Sequence, residues 1–278
     1  TFLDSSWYFL RYPSIGIDNN STIPFDNEIT KKWLPVDMYT GGAEHSVLHL
    51  LYSRFVTMVL HDLKYLDFDE PFTRFFAHGL VIKDGTKMSK SKGNVVNPDE
   101  YITRYGADAL RLYLMFMGPF SKGGDFRDSA MEGMARWLRR VWKLFCLADL
   151  TESANDAIHS CVDAERPVGE RAEKREGARE ISRALNQLMR KVRTDIPKRK
   201  YNTAIAAMME FTNLLADNGG KMTPGQWKTF FLLLAPFAPF ISEEAWQILH
   251  GRSNLEKRED SIHLQKFPIE DTSELVRE

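Results

Sequence analysis

Residues 75–94, FFAHGLVIKDGTKMSKSKGN, carry the clearest structural pattern in this chain. The apolar run over 75–83 predicts a β-strand, and Asp84-Gly85 behind it is a favoured two-residue hairpin turn. Residues 86–94 have no apolar periodicity and predict a mobile loop. A helix is expected to start at Asn97-Pro98, because an N-cap side chain followed by proline is typical of a first helical turn. Strand, loop and helix in this order indicate part of an α/β layer.

A second pattern lies upstream, in the segment MYTGGAEHSVLHLLYSRF (38–55). Residues 38–42 predict the end of a strand and a glycine turn, where backbone can approach a ligand closely. Apolar residues then recur at steps of three and four, which predicts an amphipathic helix. They are Val47, Leu50, Leu51, Phe55, Met58 and Val59. The carboxyl end of a strand beside a helix start is where α/β folds place nucleotides.

The chain changes character near residue 119, and the remainder is predicted to be helical. Four or five helices with short links indicate a bundle. A capping box of Ser129 and Glu132 precedes an apolar stripe that runs to Ala148. A long, charged and mostly solvated helix is expected from Gly169 to about Asp195. We therefore predict an α/β domain over residues 1–118 and an all-α domain over residues 119–278.

Further helix starts are expected at Asn202, at Thr223-Pro224 and at Ser242, with a stop at Gly251. The most apolar run, FFLLLAPFAPFI (230–241), is too short for a membrane span and contains two prolines. We interpret this run as the centre of the helical core.

Composition indicates a protein of the cytoplasm with no membrane segment. The chain has 278 residues, and its net charge of −1 argues against a generic polyanion binder. The two cysteines, Cys146 and Cys161, have no Cys/His cluster around them, so no zinc site is expected. We also expect the protein to reside in a reducing compartment. No apolar segment follows a basic stretch at the start, so no secretory signal is predicted.

The loop at 87–91, Lys-Met-Ser-Lys-Ser, has the composition of a polyphosphate site. The ammonium groups of Lys87 and Lys90 can neutralise charge on a departing pyrophosphate, and the hydroxyls of Ser89 and Ser91 can hydrogen-bond its oxygens. Composition alone fits a solvated turn equally well. The position of the loop between a hairpin and a capped helix favours a nucleotide.

Two other groups of residues admit functional and structural interpretations. His45 and His49 lie one helical turn apart, which fits a ligand site, a metal pair or ordinary structural residues; no third metal ligand is evident. Phe2, Ser5 and Tyr8 recur at steps of three, and from the residues alone their aromatic face is interpreted as core.

Basic residues are concentrated on the helical part. Residues 171–200 hold eleven Lys/Arg against four Asp/Glu. A charge run of this kind is usually a solvated face, but phosphate contacts with RNA would use the same residues. The candidates are a first group, Arg136, Arg139, Arg140 and Lys143, and a second group, Arg190, Lys191, Arg193, Lys198, Arg199 and Lys200.

These segments resemble a known enzyme family. Residues 87–91 match the KMSKS signature of class I aminoacyl-tRNA synthetases. Residues 41–55 are similar to GG-x-EHAVLHLLYxRF, and residues 1–12 to DTFxDSSWYYLRY, of bacterial-type leucyl-tRNA synthetases. Residues 234–246 resemble the LAPFxPHxxEELW segment of class I anticodon-binding domains. The resemblance implies a partial Rossmann-like catalytic domain followed by a helical-bundle anticodon-binding domain.

The resemblance also implies an activity and a set of site residues. The activity is the ATP-dependent formation of leucyl-adenylate and transfer of leucine to tRNA(Leu), with Mg²⁺ accompanying the ATP, in a monomeric parent enzyme. Lys87 and Lys90 would be catalytic, and the residues of the second basic group would contact tRNA. The ATP site would comprise Gly41, Gly42, Glu44 (on a ribose hydroxyl), His45, His78, Val81, Lys87, Met88, Ser89, Lys90 and Ser91. The leucine site would comprise Phe2, Ser5, Tyr8, His45 and His49.

Some features depart from the family pattern. His78 stands where many relatives have glutamine, and Asp125-Phe126-Arg127 where they usually have Asp-Trp-Ser. The HxGH motif and the inserted editing domain are absent, so we expect this chain alone not to charge tRNA. The alternatives are a synthetase for isoleucine, valine or methionine, and a tRNA-binding or assembly module without catalysis. A Walker-type ATPase lacks support because there is no GxxxxGK[ST] motif.

Overall fold

The computed structural model describes residues 2–16, 24–148, 168–251 and 260–270. The chain forms two compact units. Unit 1 comprises Thr1–Leu80 with Ser121–Gly123, and unit 2 comprises Val81–Phe120 with Gly124–Glu278. Among the described residues, no helix has both the length and the apolar character needed to cross a membrane.

Unit 1 is a small α/β assembly. Its elements are α1 (Phe2–Arg11), α2 (Asn27–Trp33), β1 (Tyr39–Gly42), α3 (His49–Asp62) and β2 (Phe75–His78). β1 and β2 are parallel neighbours, in register from Tyr39 opposite Phe75 to Gly42 opposite His78. Parallel strands need a crossover connection, which α3 supplies. The strand expected near residue 40 and the helix behind it are therefore confirmed.

Helix α3 buries its polar side within unit 1. His49, Ser53 and Thr57 are its buried residues, and the Thr57 hydroxyl donates to the Ser53 carbonyl at 2.8 Å. The apolar side is exposed: Leu51 and Phe55 keep 63% and 67% of their surface. The apolar pattern thus predicts the helix correctly, but the covered face is the polar one.

Unit 2 begins with the hairpin expected from the sequence. Its strands are β3 (Val81–Lys83), β4 (Thr86–Lys87) and β5 (Gly124–Asp125), in the order β4-β3-β5. Asp84 and Gly85 both have positive φ, 54° and 71°, as the mirror-image hairpin turn requires. The single strand expected over 75–83 is wrong, because β2 ends at His78 and β3 begins at Val81 in a different sheet.

Seven helices follow in the described part of unit 2. They are α4 (Pro98–Tyr105), α5 (Ala107–Phe116), α6 (Asp128–Cys146), α7 (Val168–Asp195), α8 (Tyr201–Asp217), α9 (Pro224–Leu234) and α10 (Pro239–Leu249). The Asn97 side chain accepts from the Asp99 amide at 3.1 Å at the start of α4. Gly106, with φ 88°, separates α4 from α5. The predicted cap and stop are both confirmed.

One apolar core joins α5 to all the later helices. The run 230–241 lies at its centre as expected, with Phe230, Phe231 and Phe237 at most 2% exposed. Helix α7 contributes Leu185, Leu188 and other residues, so the expected mostly solvated helix is instead amphipathic. Because α5 packs into this core, the compact units divide after Leu80, whereas the sequence predicts a domain boundary at residue 118.

Two helix starts differ from the prediction. The capping box at Ser129 and Glu132 is wrong: α6 begins at Asp128, no side chain caps it, and the Arg127 amide donates to the Tyr113 hydroxyl at 2.6 Å. The start at Ser242 is also wrong, because α10 begins at Pro239.

A distant carboxylate replaces the local cap of α10. Asp108 on α5 accepts from the Ile241 amide at 2.7 Å and from the Phe240 amide at 3.3 Å. Arg111, one turn further along α5, donates to the carbonyls of Pro236 and Phe237 at 3.0 and 3.3 Å. Burial raises the pKa of the Asp108 carboxyl, despite the two amide hydrogen bonds that oppose the rise. These contacts fasten α5 to the turn between α9 and α10.

Candidate functional site

An aromatic cluster in unit 1 surrounds His49. The His49 ring centroid lies 5.2 Å from that of Tyr39, 5.4 Å from Tyr52 and 5.8 Å from Tyr8. These residues come from α1, β1 and α3, and the pairing of β1 with β2 fixes Tyr39 beside Phe75. An apolar wall interrupted by a few polar atoms is typical of small-molecule sites.

His49 supplies an uncommitted polar atom within this wall. The residue is 6% exposed. Its Nδ1 lies 3.2 Å from the Ser53 hydroxyl, whereas its Nε2 is buried with no hydrogen-bond partner in the described part of the chain. Burial lowers the pKa of the His49 imidazole, and the neighbouring His45 lowers it further. A neutral ring with one free nitrogen can pair with a polar group of a ligand.

The residues predicted for a leucine site come together in this cluster. The Ser5 hydroxyl lies 3.4 Å from the Tyr52 hydroxyl, and the rings of Phe2 and Tyr52 are 5.4 Å apart. His45 lies 6.2 Å from His49, edge to face. Phe2 is nevertheless 74% exposed, so it lies at the rim of the cluster.

Sequence reasoning missed Tyr39 and Tyr52, which complete the cluster. Tyr39 stands two positions before the paired glycines, at the strand end where a ligand was expected. Tyr52 follows His49 by three positions and therefore lies on the same side of α3. Both spacings are visible in the sequence and would have identified these residues.

The glycines and Glu44 form the next part of the candidate site. Gly41 and Gly42 are buried at the end of β1. A methyl group on Gly42 would overlap the Glu44 carboxylate, which folds back over this glycine. His45 is half-buried, and its Nδ1 has no hydrogen-bond partner among the described residues.

His78 ends β2, and its ring is committed to the backbone. Its Nδ1 lies 2.8 Å from the Gly79 carbonyl oxygen, which makes Nδ1 the protonated nitrogen in that contact. The histidine at this departure from the family pattern therefore has a backbone partner. Val81, another residue predicted for the ATP site, begins β3 of unit 2 and is 38% exposed.

The loop at residues 86–94, which we call the lysine loop, begins on β4 in unit 2. Lys87 lies on this strand with an exposed side chain, and no acidic partner for its ammonium group is found in the described part of the chain. Met88 is half-buried and packs against the helical core. Lys90 opens a short 3₁₀ turn, Lys90–Lys92. The methionine thus anchors the loop while Lys87 stays available for an anion.

Asn94 holds the two sides of this loop together. Its Oδ1 accepts from the Ser89 amide at 2.9 Å. Its Nδ2 donates to the Thr86 hydroxyl at 3.0 Å and to the Lys87 carbonyl at 3.3 Å. The hydroxyls of Ser89 and Ser91 lie 3.2 Å apart. Sequence reasoning gave Asn94 no role, because these contacts depend on the folded shape of the loop.

Phe126, at one of the departures from the family pattern, is well packed. It is 3% exposed, with the rings of Tyr101 and Tyr113 at 5.1 and 5.0 Å. The Tyr101 hydroxyl donates to the Asp128 carboxylate. Burial, followed by this hydrogen bond, raises the pKa of Tyr101 to about 12. The Lys83 ammonium lies 3.8 Å from the same carboxylate, so Asp128 links β3 to α4 and α6.

The second basic group is partly committed to ion pairs. Lys191 lies 2.7 Å from the buried Asp195 carboxylate, and Arg193 lies 2.9 Å from Glu270. The turn between α7 and α8 carries Lys198, Arg199 and Lys200. Arg199 has a φ of 55°, a conformation uncommon for a residue other than glycine. Among the described residues, no group of three or more His, Cys, Asp or Glu could hold a metal ion.

The depressed pKa of His49 predicts a pH effect on stability. The folded state disfavours the imidazolium, so the unfolded chain binds more protons just below its ordinary value of about 6.5, and stability rises with pH there. The titratable side chains that face this ring include no carboxylate that would stabilise a positive charge on it. They are Tyr8, Tyr39, Tyr52 and His45.

We expect acidification from pH 7.5 to pH 5.5 to lower the melting temperature more in the wild-type chain than in a His49→Asn variant, which cannot titrate at this position. Circular dichroism melts at the two pH values measure the difference. Equal losses in the two proteins would show that His49 is not held neutral by burial.

Comparisons with known proteins agree with this geometry. Residues 15–126 match the family model "tRNA synthetases class I (I, L, M and V)", and residues 178–278 match "Anticodon-binding domain of tRNA ligase". Leucine–tRNA ligases are similar along nearly the whole chain. The protein of Dehalococcoides mccartyi strain 195 is 45% identical over 96% of this chain, and that of Rubrobacter xylanophilus is 45% identical over 100%.

A solved structure is similar as well. It is the ternary complex LeuRS–tRNA–LeuAMS of Agrobacterium radiobacter K84 agnB2, with a TM-score of 0.77 and 39% identity over 98% of this chain. The chain spans 30% and 31% of the length of the two relatives above and 34% of the chain in that complex. The fold predicted from the sequence, a class I catalytic part followed by a helical anticodon-binding domain, is confirmed.

Proposed function

We propose that this chain, which belongs to the class I aminoacyl-tRNA synthetases, is part of an enzyme that activates leucine with ATP and transfers it to tRNA(Leu). The observation that carries the proposal is the His49 cluster, an aromatic wall with a few polar atoms, which is the kind of lining that suits an apolar amino-acid side chain. The lysine loop supplies a second feature that the reaction needs, which is an exposed cation on a loop held in shape by hydrogen bonds. A synthetase for isoleucine, valine or methionine is not favoured, because the similar ligases act on leucine.

In the first step, a carboxylate oxygen of leucine attacks the α-phosphorus of ATP. The bond from that phosphorus to the bridging oxygen breaks, and pyrophosphate leaves with the electron pair. Lys87 and Lys90 would counter the negative charge that develops on the leaving group. Ser89 and Ser91 would hydrogen-bond its oxygens.

The leucine and adenosine sites are assigned to unit 1. Phe2, Ser5 and Tyr8, with His45 and His49, would shape the pocket for the leucine side chain, and we add Tyr39 and Tyr52 on the evidence of their ring contacts. Gly41, Gly42 and Glu44, together with His45 and His78, would hold the adenosine. Val81 of β3 completes the set of residues proposed for ATP.

In the second step, a hydroxyl oxygen of the 3′-terminal ribose of tRNA attacks the leucyl carbonyl carbon. The bond from that carbon to the phosphate oxygen breaks, AMP leaves with the electron pair, and the hydroxyl proton passes to the departing phosphate or to water. The exposed cations at the end of α7 and in the turn behind it would contact the tRNA phosphates. Their contribution is to affinity and salt dependence. Since Lys191 and Arg193 already form ion pairs, we place more weight on Arg190, Lys198 and Lys200.

Mg²⁺ would accompany the ATP, and the phosphates would be its main ligands, because the described residues offer no cluster of three acids. A monomeric parent enzyme in the cytoplasm stays our prediction.

A thermal melt tests the proposal. A non-hydrolysable leucyl-adenylate analogue at 100 times its Kd should stabilise the protein by about 2.7 kcal/mol. Tyr8→Ala should abolish the shift, because it removes one side of the His49 cluster. The isoleucyl-adenylate analogue is the control and should stabilise less at equal concentration. A larger shift with the isoleucyl compound would reject leucine as the substrate.

Pyrophosphate exchange tests the expectation that this chain alone does not charge tRNA. We expect no leucine-dependent exchange by the purified chain and robust exchange by the full-length enzyme. Turnover by the chain itself would contradict that expectation without affecting the assignment to leucine.

A further inference from the structure

A basic and aromatic cleft lies within unit 2, away from the lysine loop in sequence. It is formed by α4, α6 and α10 and has a volume of about 320 Å³. Its lining includes Arg104 and Tyr105 of α4 with Arg139, Trp142 and Lys143 of α6, and no acidic residue. Arg139 and Lys143 are one helical turn apart and therefore project from the same side of α6. We call this site the α4–α6 cleft.

The three cations of the α4–α6 cleft have no acidic partner in the described part of the chain. Arg104, Arg139 and Lys143 are all exposed. The Arg104 guanidinium lies over the Tyr105 ring, 5.0 Å from its centroid, which is a cation–π contact. This contact holds the guanidinium in place without neutralising it. The cleft therefore has three positive charges, one of them held in position, and no acidic group among the described residues pairs with them.

Trp142 adds an aromatic surface and an indole N–H donor to the cleft. The indole is half-buried, and its ring packs against Phe145 with centroids 5.6 Å apart. Its N–H finds no acceptor in the part of the chain that the structure describes. A fixed indole with an unused N–H can stack on a nucleobase and donate to a phosphate or ribose oxygen.

We propose that the α4–α6 cleft binds one nucleotide of an RNA chain, with the phosphodiester on Arg104, Arg139 and Lys143 and the base on Trp142. Cations combined with an aromatic platform are the usual features of single-stranded nucleic-acid sites. An acidic peptide would use the charges but not the indole surface. The proposal rests on the proposed function, because the RNA in question is the tRNA substrate.

The α4–α6 cleft is separate from the basic group at the end of α7. That group is partly neutralised by Asp195 and Glu270, whereas the cleft is not. Of the first basic group, only Arg139 and Lys143 line the cleft, so we expect only these two to contribute to RNA binding there. Arg140 instead donates to the Asn213 side chain.

Binding of fluorescent tRNA(Leu) to this chain tests the proposal, with Arg139→Gln/Lys143→Gln as the main variant. We expect the double variant to bind about tenfold more weakly, and the slope of log K against log[salt] to fall by about 1.5, since each phosphate contact contributes roughly 0.7–0.9. Lys221→Gln/Lys266→Gln removes the same charge at two exposed lysines outside the cleft and is the matched control. Trp142→Leu should weaken binding about tenfold at an unchanged salt slope, and Trp142→Phe should restore most of the loss.

Cys146 gives an independent measurement, because it is exposed and lines the same cleft. In a Cys161→Ser background it is the one remaining thiol of the chain. We expect tRNA(Leu) to slow its alkylation at least fivefold, while AMP and inorganic phosphate at the same nucleotide concentration leave the rate unchanged. Equal protection by AMP would identify a mononucleotide site and overturn the RNA assignment.

Two further outcomes separate this proposal from the proposed function. If the chain binds no tRNA(Leu), or if the double variant matches its control in affinity and salt slope, the cleft is not an RNA site. Leucine-dependent pyrophosphate exchange by the full-length enzyme would then leave the synthetase assignment intact. If the full-length enzyme activates no leucine while the cleft variants still lose tRNA affinity, the proposed function fails and the cleft stands.

Discussion

Replacing Lys87 with alanine should lower leucine-dependent pyrophosphate exchange by the full-length enzyme about 10²- to 10³-fold. The Lys87 ammonium is exposed and has no acidic partner in the described part of the chain, so its charge is available to the phosphates. Removing one group that stabilises a developing negative charge costs about 2.7–4 kcal/mol in the transition state. The measurement is kcat for exchange at saturating leucine and ATP.

The same substitution should leave the stability of the protein within about 0.5 kcal/mol, as expected for an exposed side chain. Lys92→Ala is the matched control, because Lys92 is also exposed and ends the 3₁₀ turn of the same loop. We expect it to change exchange less than about threefold. A comparable loss in both variants would mean that the loop acts through general charge, and an unaffected Lys87→Ala enzyme would remove this lysine from the mechanism.

Local sequence signals were sufficient for the elements that flank the lysine loop. The turn at Asp84-Gly85, the cap at Asn97 and the stop at Gly106 each depend on residues within a few positions of one another. The backbone preferences and hydrogen bonds of such short segments are determined by neighbouring residues. These features were therefore predicted correctly without any knowledge of the tertiary fold.

Features that depend on distant residues were not predictable in the same way. The start of α10 is capped by Asp108, which is 133 positions from Ile241, so the local motif at Ser242 was misleading. The break between β2 and β3 depends on the chain at residues 121–123 passing next to Gly79. In α3 the periodicity identified a helix, but it could not say which face the rest of unit 1 covers.

In the candidate site, too, some residues could be predicted from the sequence and others could not. Phe2, Ser5, Tyr8, His45 and His49 were selected by resemblance, and the structure brings them into one cluster. The role of Asn94 could not be predicted, because it arises from three hydrogen bonds that depend on the folded shape of the loop. The α4–α6 cleft likewise needs three helices, α4, α6 and α10, each more than twenty positions from the next of the three in the chain.

Gly79→Ala should be among the most disruptive single-methyl changes in this chain, with a loss of about 3 kcal/mol in the free energy of unfolding of unit 1. A Cβ on Gly79 would overlap the backbone nitrogen of Gly123 and the backbone carbonyl of Lys122. Overpacking usually costs about 1–3 kcal/mol, and the upper end is expected because backbone cannot move aside as a flexible side chain does. Urea denaturation of the wild-type and variant chains measures the loss.

The close approach of residues 121–123 to Gly79 also has a functional consequence, because Gly79 adjoins His78, which is assigned to the adenosine. The Gly79 carbonyl holds the His78 ring, and its displacement would shift that residue. We therefore expect the KM for ATP in pyrophosphate exchange to rise severalfold in the full-length Gly79→Ala enzyme.

Gly133→Ala is the matched control for stability, because Gly133 lies inside α6 with nothing within 4 Å of an added Cβ. Replacing a helical glycine with alanine should stabilise the protein by about 0.5–1 kcal/mol. If Gly79→Ala were as harmless as this control, the close passage of residues 121–123 would not exist in solution.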